Sequence, residues 1–129
     1  MKLLKILTFA FALSLISFAA QAQGLKVPKM DLSSQVLGIL NDTKGLDLSS
    51  DQKGKLESNN KSFVDELMKI NDSSASDDDK KASFLGLKNK RTKFLTDLMG
   101  SDLFKKYSGQ ILKSINPLKS KLGLAALAI

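Results

Sequence analysis

The sequence contains no cysteine, no histidine and no tryptophan, and Arg91 is its single arginine. Without cysteine the fold cannot contain a disulfide, so a small domain must be stabilised by packing alone. Without histidine and cysteine, neither a Ser-His-Asp nor a Cys-His catalytic arrangement can be built. The preferred ligands of zinc and copper are missing as well. We therefore expect a protein that is not an enzyme and that carries no cofactor.

Carboxylates are the remaining groups from which an active site or a metal site could be built. Asp65 and Glu66 are adjacent, and adjacent positions on a helix point about 100° apart, so they cannot flank one substrate bond. The acidic run 77–79 lacks the central glycine and the closing glutamate of an EF-hand calcium loop. Acids in the first turn of a helix instead interact favourably with its dipole. A hydrolase that uses carboxylates alone is thus the least supported hypothesis, and no metal site is predicted.

Lysine dominates the charge of the chain, which carries 20 Lys and Arg against 13 Asp and Glu, for a net charge of +7. Base readout and bidentate phosphate contacts favour arginine over lysine. Nucleic acid is therefore not an expected partner. The positive balance instead suits acidic polypeptides or anionic surfaces.

Residues 1–22 have the pattern of a secretory signal peptide. Lys2 and Lys5 precede an apolar run, and the Ala-Gln-Ala stretch at 20–22 supplies the small residues that a signal peptidase requires. The run of about 15 residues is short for a bilayer-spanning helix, which needs about 20; a retained membrane anchor is the alternative. We predict a periplasmic or secreted protein whose mature part, 23–129, is a single all-helical domain.

The apolar spacing predicts an all-α fold, because no convincing period-2 run occurs. We expect a small helical hairpin or bundle of four to five helices, with two longer antiparallel helices as its spine. Gly100 is expected to end one helix and Ser101 to cap the next. The predicted helices cover about 32–40, 50–70, 77–99 and 101–115, with a final turn or helix after Pro117.

The start of the second predicted helix is the most informative part of the mature chain. Ser49 is a good N-cap and Gln52 follows three residues later, which is the spacing of a capping box, while Leu48 can pack as a hydrophobic staple. Two polar residues interrupt the apolar stripes, Asn60 in the second helix and Arg91 in the third. We expect the turn around Asn60 to be either solvent-accessible or hydrogen-bonded.

The stretch Leu48-Ser49-Ser50-Asp51-Gln52 resembles the Leu-Thr-x-x-Gln motif of the Spy/CpxP family of periplasmic proteins, with serine in place of threonine. A second, degenerate copy spans 99–107, where Ser101 keeps the capping hydroxyl and the glutamine is missing. The resemblance implies a thin, curved, four-helix fold that dimerises into a cradle. It also implies an ATP-independent envelope chaperone or stress-response protein. The metal-sensing relatives use histidine, which this chain lacks.

The resemblance and the charge pattern together predict a client-binding surface for unfolded or envelope proteins. Charge would steer the client before apolar contact forms, and core packing is the alternative for each apolar residue. The predicted members are Phe63, Leu67, Met68, Phe84, Phe94 and Met99, with the cations Lys88, Lys90, Arg91 and Lys93.

Two further alternatives concern the lysine-rich helix and the C-terminal end. The chain could be a structural or accessory module that binds one defined envelope partner through that helix. The apolar end, 122–129, could pack on the bundle or on a second subunit, or touch a membrane peripherally.

Overall fold

The computed structural model describes residues 28–129, with side chains from residue 32 onward. The predicted signal peptide, 1–22, lies outside the described residues. Within 28–129 the structure contains helices and no strand, so the all-α prediction is confirmed. The α-helices are α1 (Pro28–Leu40), α2 (Ser50–Asp72), α3 (Asp77–Ile115) and the four-residue α4 (Lys119–Leu122), with 3-10 turns at Asn116–Leu118 and Gly123–Ala128.

Helix α2 begins with the predicted capping box. The backbone N–H of Gln52 donates to Ser49 Oγ at 3.1 Å, and the backbone N–H of Ser49 donates to Gln52 Oε1 at 2.9 Å. Leu48, one residue before the cap, is buried, as a staple residue should be. The two hydrogen bonds satisfy two backbone donors at a helix start, and they fix where the 23-residue helix α2 begins.

Helix α3 departs from the prediction at Gly100. Within residues 28–129 the structure has three long helices rather than four to five, because the segments 77–99 and 101–115 meet at the non-helical Gly100 without a loop and form one kinked helix of 39 residues. Gly100 has φ 81° and ψ 162°, a conformation that is essentially restricted to glycine. The helix resumes at once, without a loop, and the Ser101 hydroxyl makes no capping hydrogen bond within the described part of the chain.

The kink turns the second half of α3 back toward the first. Arg91 and Tyr107 are 16 residues apart, which in a straight helix would separate them by about 24 Å along the axis. In the structure Arg91 Nη2 lies 3.0 Å from Tyr107 Oη. The side chain of Gln52 meets α3 just before the kink, where its Nε2 donates to the Leu98 carbonyl at 3.1 Å. The same glutamine therefore caps α2 and ties it to the kink.

The core lies between α1, α2, the two halves of α3 and the C-terminal turns. Leu122, Ala125 and Ala128 are buried, and the C-terminal turns contact both α2 and α3. The apolar end thus packs on its own bundle. The remaining core includes Val36, Leu40, Leu56, Val64, Leu67, Phe84, Leu95, Ile111 and Ile115.

Candidate functional site

The two polar residues that interrupt the apolar stripes meet inside the bundle. Arg91 Nη2 donates to Asn60 Oδ1 at 2.7 Å and to Tyr107 Oη at 3.0 Å. Asn60 is completely buried, and it is the one polar residue among the buried residues of the described chain. Of the two expectations for the turn around Asn60, the hydrogen-bonded one is therefore correct.

The same network satisfies the C-terminal end of α1. Tyr107 Oη donates to the Leu40 carbonyl at 2.6 Å, and Asn60 Nδ2 donates to the same carbonyl at 2.9 Å. Asn60 Nδ2 also donates to Asn41 Oδ1 at 2.9 Å. The last carbonyls of a helix have no partner within it, so these side chains supply what α1 lacks and join α1, α2 and both halves of α3.

Arg91 holds its charge in this network without a carboxylate partner. No acid of the described residues forms an ion pair with it. Its guanidinium instead lies 4.7 Å from the ring centroid of Phe63 and 5.7 Å from that of Tyr107, within cation–π range. Burial lowers the pKa of Arg91 from its ordinary value, while the charge interaction and the hydrogen bond with Tyr107 raise it. The guanidinium stays protonated, since arginine does not titrate in proteins.

A pocket of about 470 Å³, here called the Arg91 pocket, opens between α2 and α3 beside this guanidinium. Its apolar lining consists of Phe63, Leu87 and Phe94. Two buried atoms of residues that line it have no hydrogen-bond partner, Nε of Arg91 and Oδ1 of Asn59. Buried polar atoms are normally paired, so this pocket has unmet hydrogen-bonding capacity.

The remaining charged residues of the Arg91 pocket nearly balance. Lys90 and Lys93 line it together with Glu66 and Asp97. Lys90 Nζ lies 3.7 Å from Glu66 Oε1, and both side chains are largely exposed, so this pair contributes little to stability. The half-buried guanidinium of Arg91 is therefore the charge that distinguishes this pocket from the surrounding surface.

A second candidate site lies at the other end of the first half of α3. Within residues 32–129 the exposed large apolar side chains are Leu85, Leu112 and Leu127, at 48, 47 and 40% exposure. All three line one depression of about 280 Å³, together with Lys88 and Lys119 and with no acidic residue. We call this surface the leucine patch. It brings together positions that are far apart in the sequence.

The structure divides the predicted client-binding residues among three environments. Phe63, Leu67, Phe84 and Met99 are buried in the core. These four side chains therefore expose little surface in this conformation, because the apolar stripe that marked them is the stripe on which the helices pack. Phe63 also lines the Arg91 pocket, and a part of these residues in client binding stays a prediction.

The other predicted residues divide between the two sites. Lys90, Lys93 and the half-buried Phe94 line the Arg91 pocket, while Lys88 lines the leucine patch. Met68 is half-buried against the core. Arg91 was predicted as a cation of the client-binding surface. It is half-buried and lines the Arg91 pocket, where it donates to Asn60 and Tyr107.

The prediction missed Asn59, Leu85 and Leu112 as site residues. Leu85 and Leu112 carried a weak signal, since a leucine beside an apolar stripe at the wrong angle is often exposed. Their convergence with Leu127 follows from the kink at Gly100 and could not be read from spacing.

The described residues also bear on metal binding and on membrane insertion. In the part of the chain that the structure describes, no group of three or more acidic, histidine or cysteine side chains is placed to hold a metal ion. No helix between residues 28 and 129 combines the length and apolar character needed to cross a bilayer.

Comparison with protein-family models, with curated proteins and with solved structures gave no match for this chain. The resemblance to the Spy/CpxP family therefore remains a prediction based on the motif.

Proposed function

We propose that this chain is an exported binding protein that holds acidic, partly unfolded segments of other proteins without chemistry, as an ATP-independent envelope chaperone of the Spy/CpxP kind. Export is supported by the signal-peptide pattern of residues 1–22. The proposed likeness to the Spy/CpxP family is supported by the capping motif at Ser49 and Gln52, which begins a long helix.

The observation that carries the proposal is the leucine patch. Three leucines that are 40–48% exposed meet in one depression, whereas the other large apolar residues between 32 and 129 are buried or packed partly against the core. A contiguous exposed apolar surface marks an interaction site more often than scattered exposed residues do. The patch therefore provides the apolar contact that a client requires.

Charge complementarity decides which client fits the leucine patch. Lys88 and Lys119 line it and no acid does, in a chain whose net charge is +7. Lysines at the edge of an apolar surface attract an acidic segment from a distance and disfavour a basic one. We therefore expect an acidic segment with apolar side chains as the occupant.

Suppression of aggregation tests this function. The mature chain, at equimolar ratio, should reduce light scattering by an acidic model client that aggregates when its disulfides are reduced. It should protect a basic client of similar size less, and the difference should shrink in 0.5 M salt, where the Debye length is only a few ångströms (about 4 Å). L112S/L127S should lose the protection, because it removes two of the three exposed leucines.

A matched pair of charge variants separates the patch from general basicity. K88Q/K119Q should weaken protection of the acidic client. K61Q/K105Q removes the same charge from exposed lysines that line neither site, and it should behave as wild type. Equal effects of the two pairs, or no suppression at any salt concentration, would overturn the proposal.

Two other outcomes would assign the patch differently. A dimer that forms at micromolar concentration and is lost in L112S/L127S would make the patch a self-association surface. A single envelope protein that forms a stoichiometric complex, with no protection of model clients, would favour an accessory module with one defined partner. Either result would replace the chaperone proposal.

A further inference from the structure

The Arg91 pocket is distinct from the leucine patch, and its chemistry points to a ligand of its own. A charge that is withdrawn from water, even in part, is normally paired, because desolvation disfavours the charged form. Arg91 has no ionic partner among the described residues, and an uncharged asparagine and tyrosine take its hydrogen bonds. Glu66 and Asp97 also line the pocket, but neither forms an ion pair with Arg91, so the guanidinium itself lacks a carboxylate partner.

Hydrogen-bond accounting gives the same answer. A guanidinium has five N–H donors. Arg91 Nη2 supplies the two bonds to Asn60 and Tyr107, while Nε is buried without a partner and Nη1 makes no hydrogen bond to the described residues. The two donors of Nη1 thus remain open to an acceptor in the pocket, while Nε has almost no accessible surface. A carboxylate is the acceptor that matches a guanidinium best.

The residues that line the pocket predict two further features of the ligand. Oδ1 of Asn59 is a buried acceptor without a donor in a residue that lines the pocket, so a small rotation of this amide group would let it accept an N–H near the carboxylate. Phe63, Leu87 and Phe94 offer apolar surface for a hydrocarbon or aromatic body. A volume of about 470 Å³ lies within the range of about 300–1,000 Å³ that is usual for small-ligand sites.

We infer that the Arg91 pocket binds an α-carboxylate that carries an apolar side chain and a neighbouring N–H. Arg91 receives the carboxylate, Asn59 accepts the N–H, and Phe63, Leu87 and Phe94 contact the side chain. The C-terminal residue of a peptide and a free apolar amino acid share this chemistry. They differ in the charge of the nitrogen, which is an amide in the first and an ammonium in the second.

Three small probes test the site by calorimetry and by chemical-shift perturbation. N-acetylphenylalanine carries the carboxylate, the amide N–H and the ring; its C-terminal amide lacks the carboxylate; phenylalanine has a free ammonium. We expect the amide to bind at least tenfold more weakly than the acid. Tighter binding of N-acetylphenylalanine assigns the site to peptide C-termini, and tighter binding of phenylalanine assigns it to free amino acids.

Two variants place the probe in this pocket. R91K keeps the charge and removes the planar donors, so it should weaken binding of the acid at least tenfold while leaving binding of the amide nearly unchanged. Because R91K disturbs the network and could unfold the chain, S62F serves as the second variant: Ser62 is exposed and lines the pocket. S58F places the same ring one turn earlier, outside the pocket, and is the control.

The result that supports the inference is a carboxylate-dependent interaction that S62F abolishes and S58F keeps. Equal binding of acid and amide, or no binding of any probe at 10 mM, would overturn it. This result does not depend on aggregation assays of the leucine patch, so either proposal can fail without the other.

Discussion

Asn60 and Asn59 are adjacent, yet their side chains differ in hydrogen bonding. Asn60 makes hydrogen bonds to the Leu40 carbonyl, to Asn41 and to Arg91. The Oδ1 atom of Asn59 is buried and has no partner. Removing one member of a buried network leaves its partners unsatisfied, which costs more than the hydrogen bonds themselves contribute.

We therefore expect N60A to lower the free energy of unfolding by about 2–4 kcal/mol, because the Arg91 guanidinium and the Leu40 carbonyl each lose one of two partners and keep only Tyr107. N59A makes the same truncation one residue away and should cost less than about 1 kcal/mol. Urea denaturation followed by circular dichroism measures both. Equal losses in the two variants would show that the network does not stabilise the bundle.

At the scale of elements, the kink in α3 depends on a single backbone conformation. An added Cβ at Gly100 would meet no atom within 4 Å, so space does not require glycine there. Its φ of 81° does, since other residues reach this region only with strain. Gly86 lies in the regular part of the same helix and also has open space around it.

This contrast gives a matched pair of alanine variants. G100A should lower the free energy of unfolding by about 1–3 kcal/mol, the cost of a strained backbone conformation. G86A should raise it by about 0.5–1 kcal/mol, because alanine has the better helix propensity and restricts the unfolded chain. Thermal and urea unfolding measure both, and stabilisation by G100A would contradict the observed kink.

The elements show which features the sequence could predict. The starts of α2 and α3 were predictable, because a capping serine bonds to an amide three residues away. The break at Gly100 was predicted too, as a helix end. The backward turn that follows it was not, because a glycine at a helix end does not show in which direction the next segment runs. Long-range bonds such as Gln110 Nε2 to the Lys44 carbonyl hold the returning half in place, and spacing does not reveal them.

The candidate sites likewise have features that the sequence could predict and features that depend on the folded chain. Asn60 and Arg91 were recognisable as interruptions of apolar stripes, but their pairing depends on how α2 and α3 align. The pattern identified Phe63 and Phe84 as positions on the apolar faces of their two helices. It could not tell whether another helix covers those faces. Exposure of Leu112 and Leu127 at one place is a property of the folded chain.

At the scale of the whole molecule, the C-terminal segment both closes the bundle and forms part of the leucine patch, where Leu122 lines the depression with a buried side chain and Leu127 with an exposed one. Leu122 is 3% exposed, and Leu127, five residues later, is 40% exposed. The same short segment therefore contributes both to stability and to the proposed binding surface. Its two leucines should separate these contributions.

L122A should lower the free energy of unfolding by about 2–4 kcal/mol, because it removes buried methyl groups and leaves a cavity. L127A should change it by less than about 1 kcal/mol, since little of the exposed side chain is withdrawn from water. In the aggregation assay the order should reverse at a temperature where both variants are folded, with L127A losing protection and L122A keeping most of it. Loss of both properties in both variants would mean that the segment acts only as part of the core, and the leucine patch would then have no separate binding role.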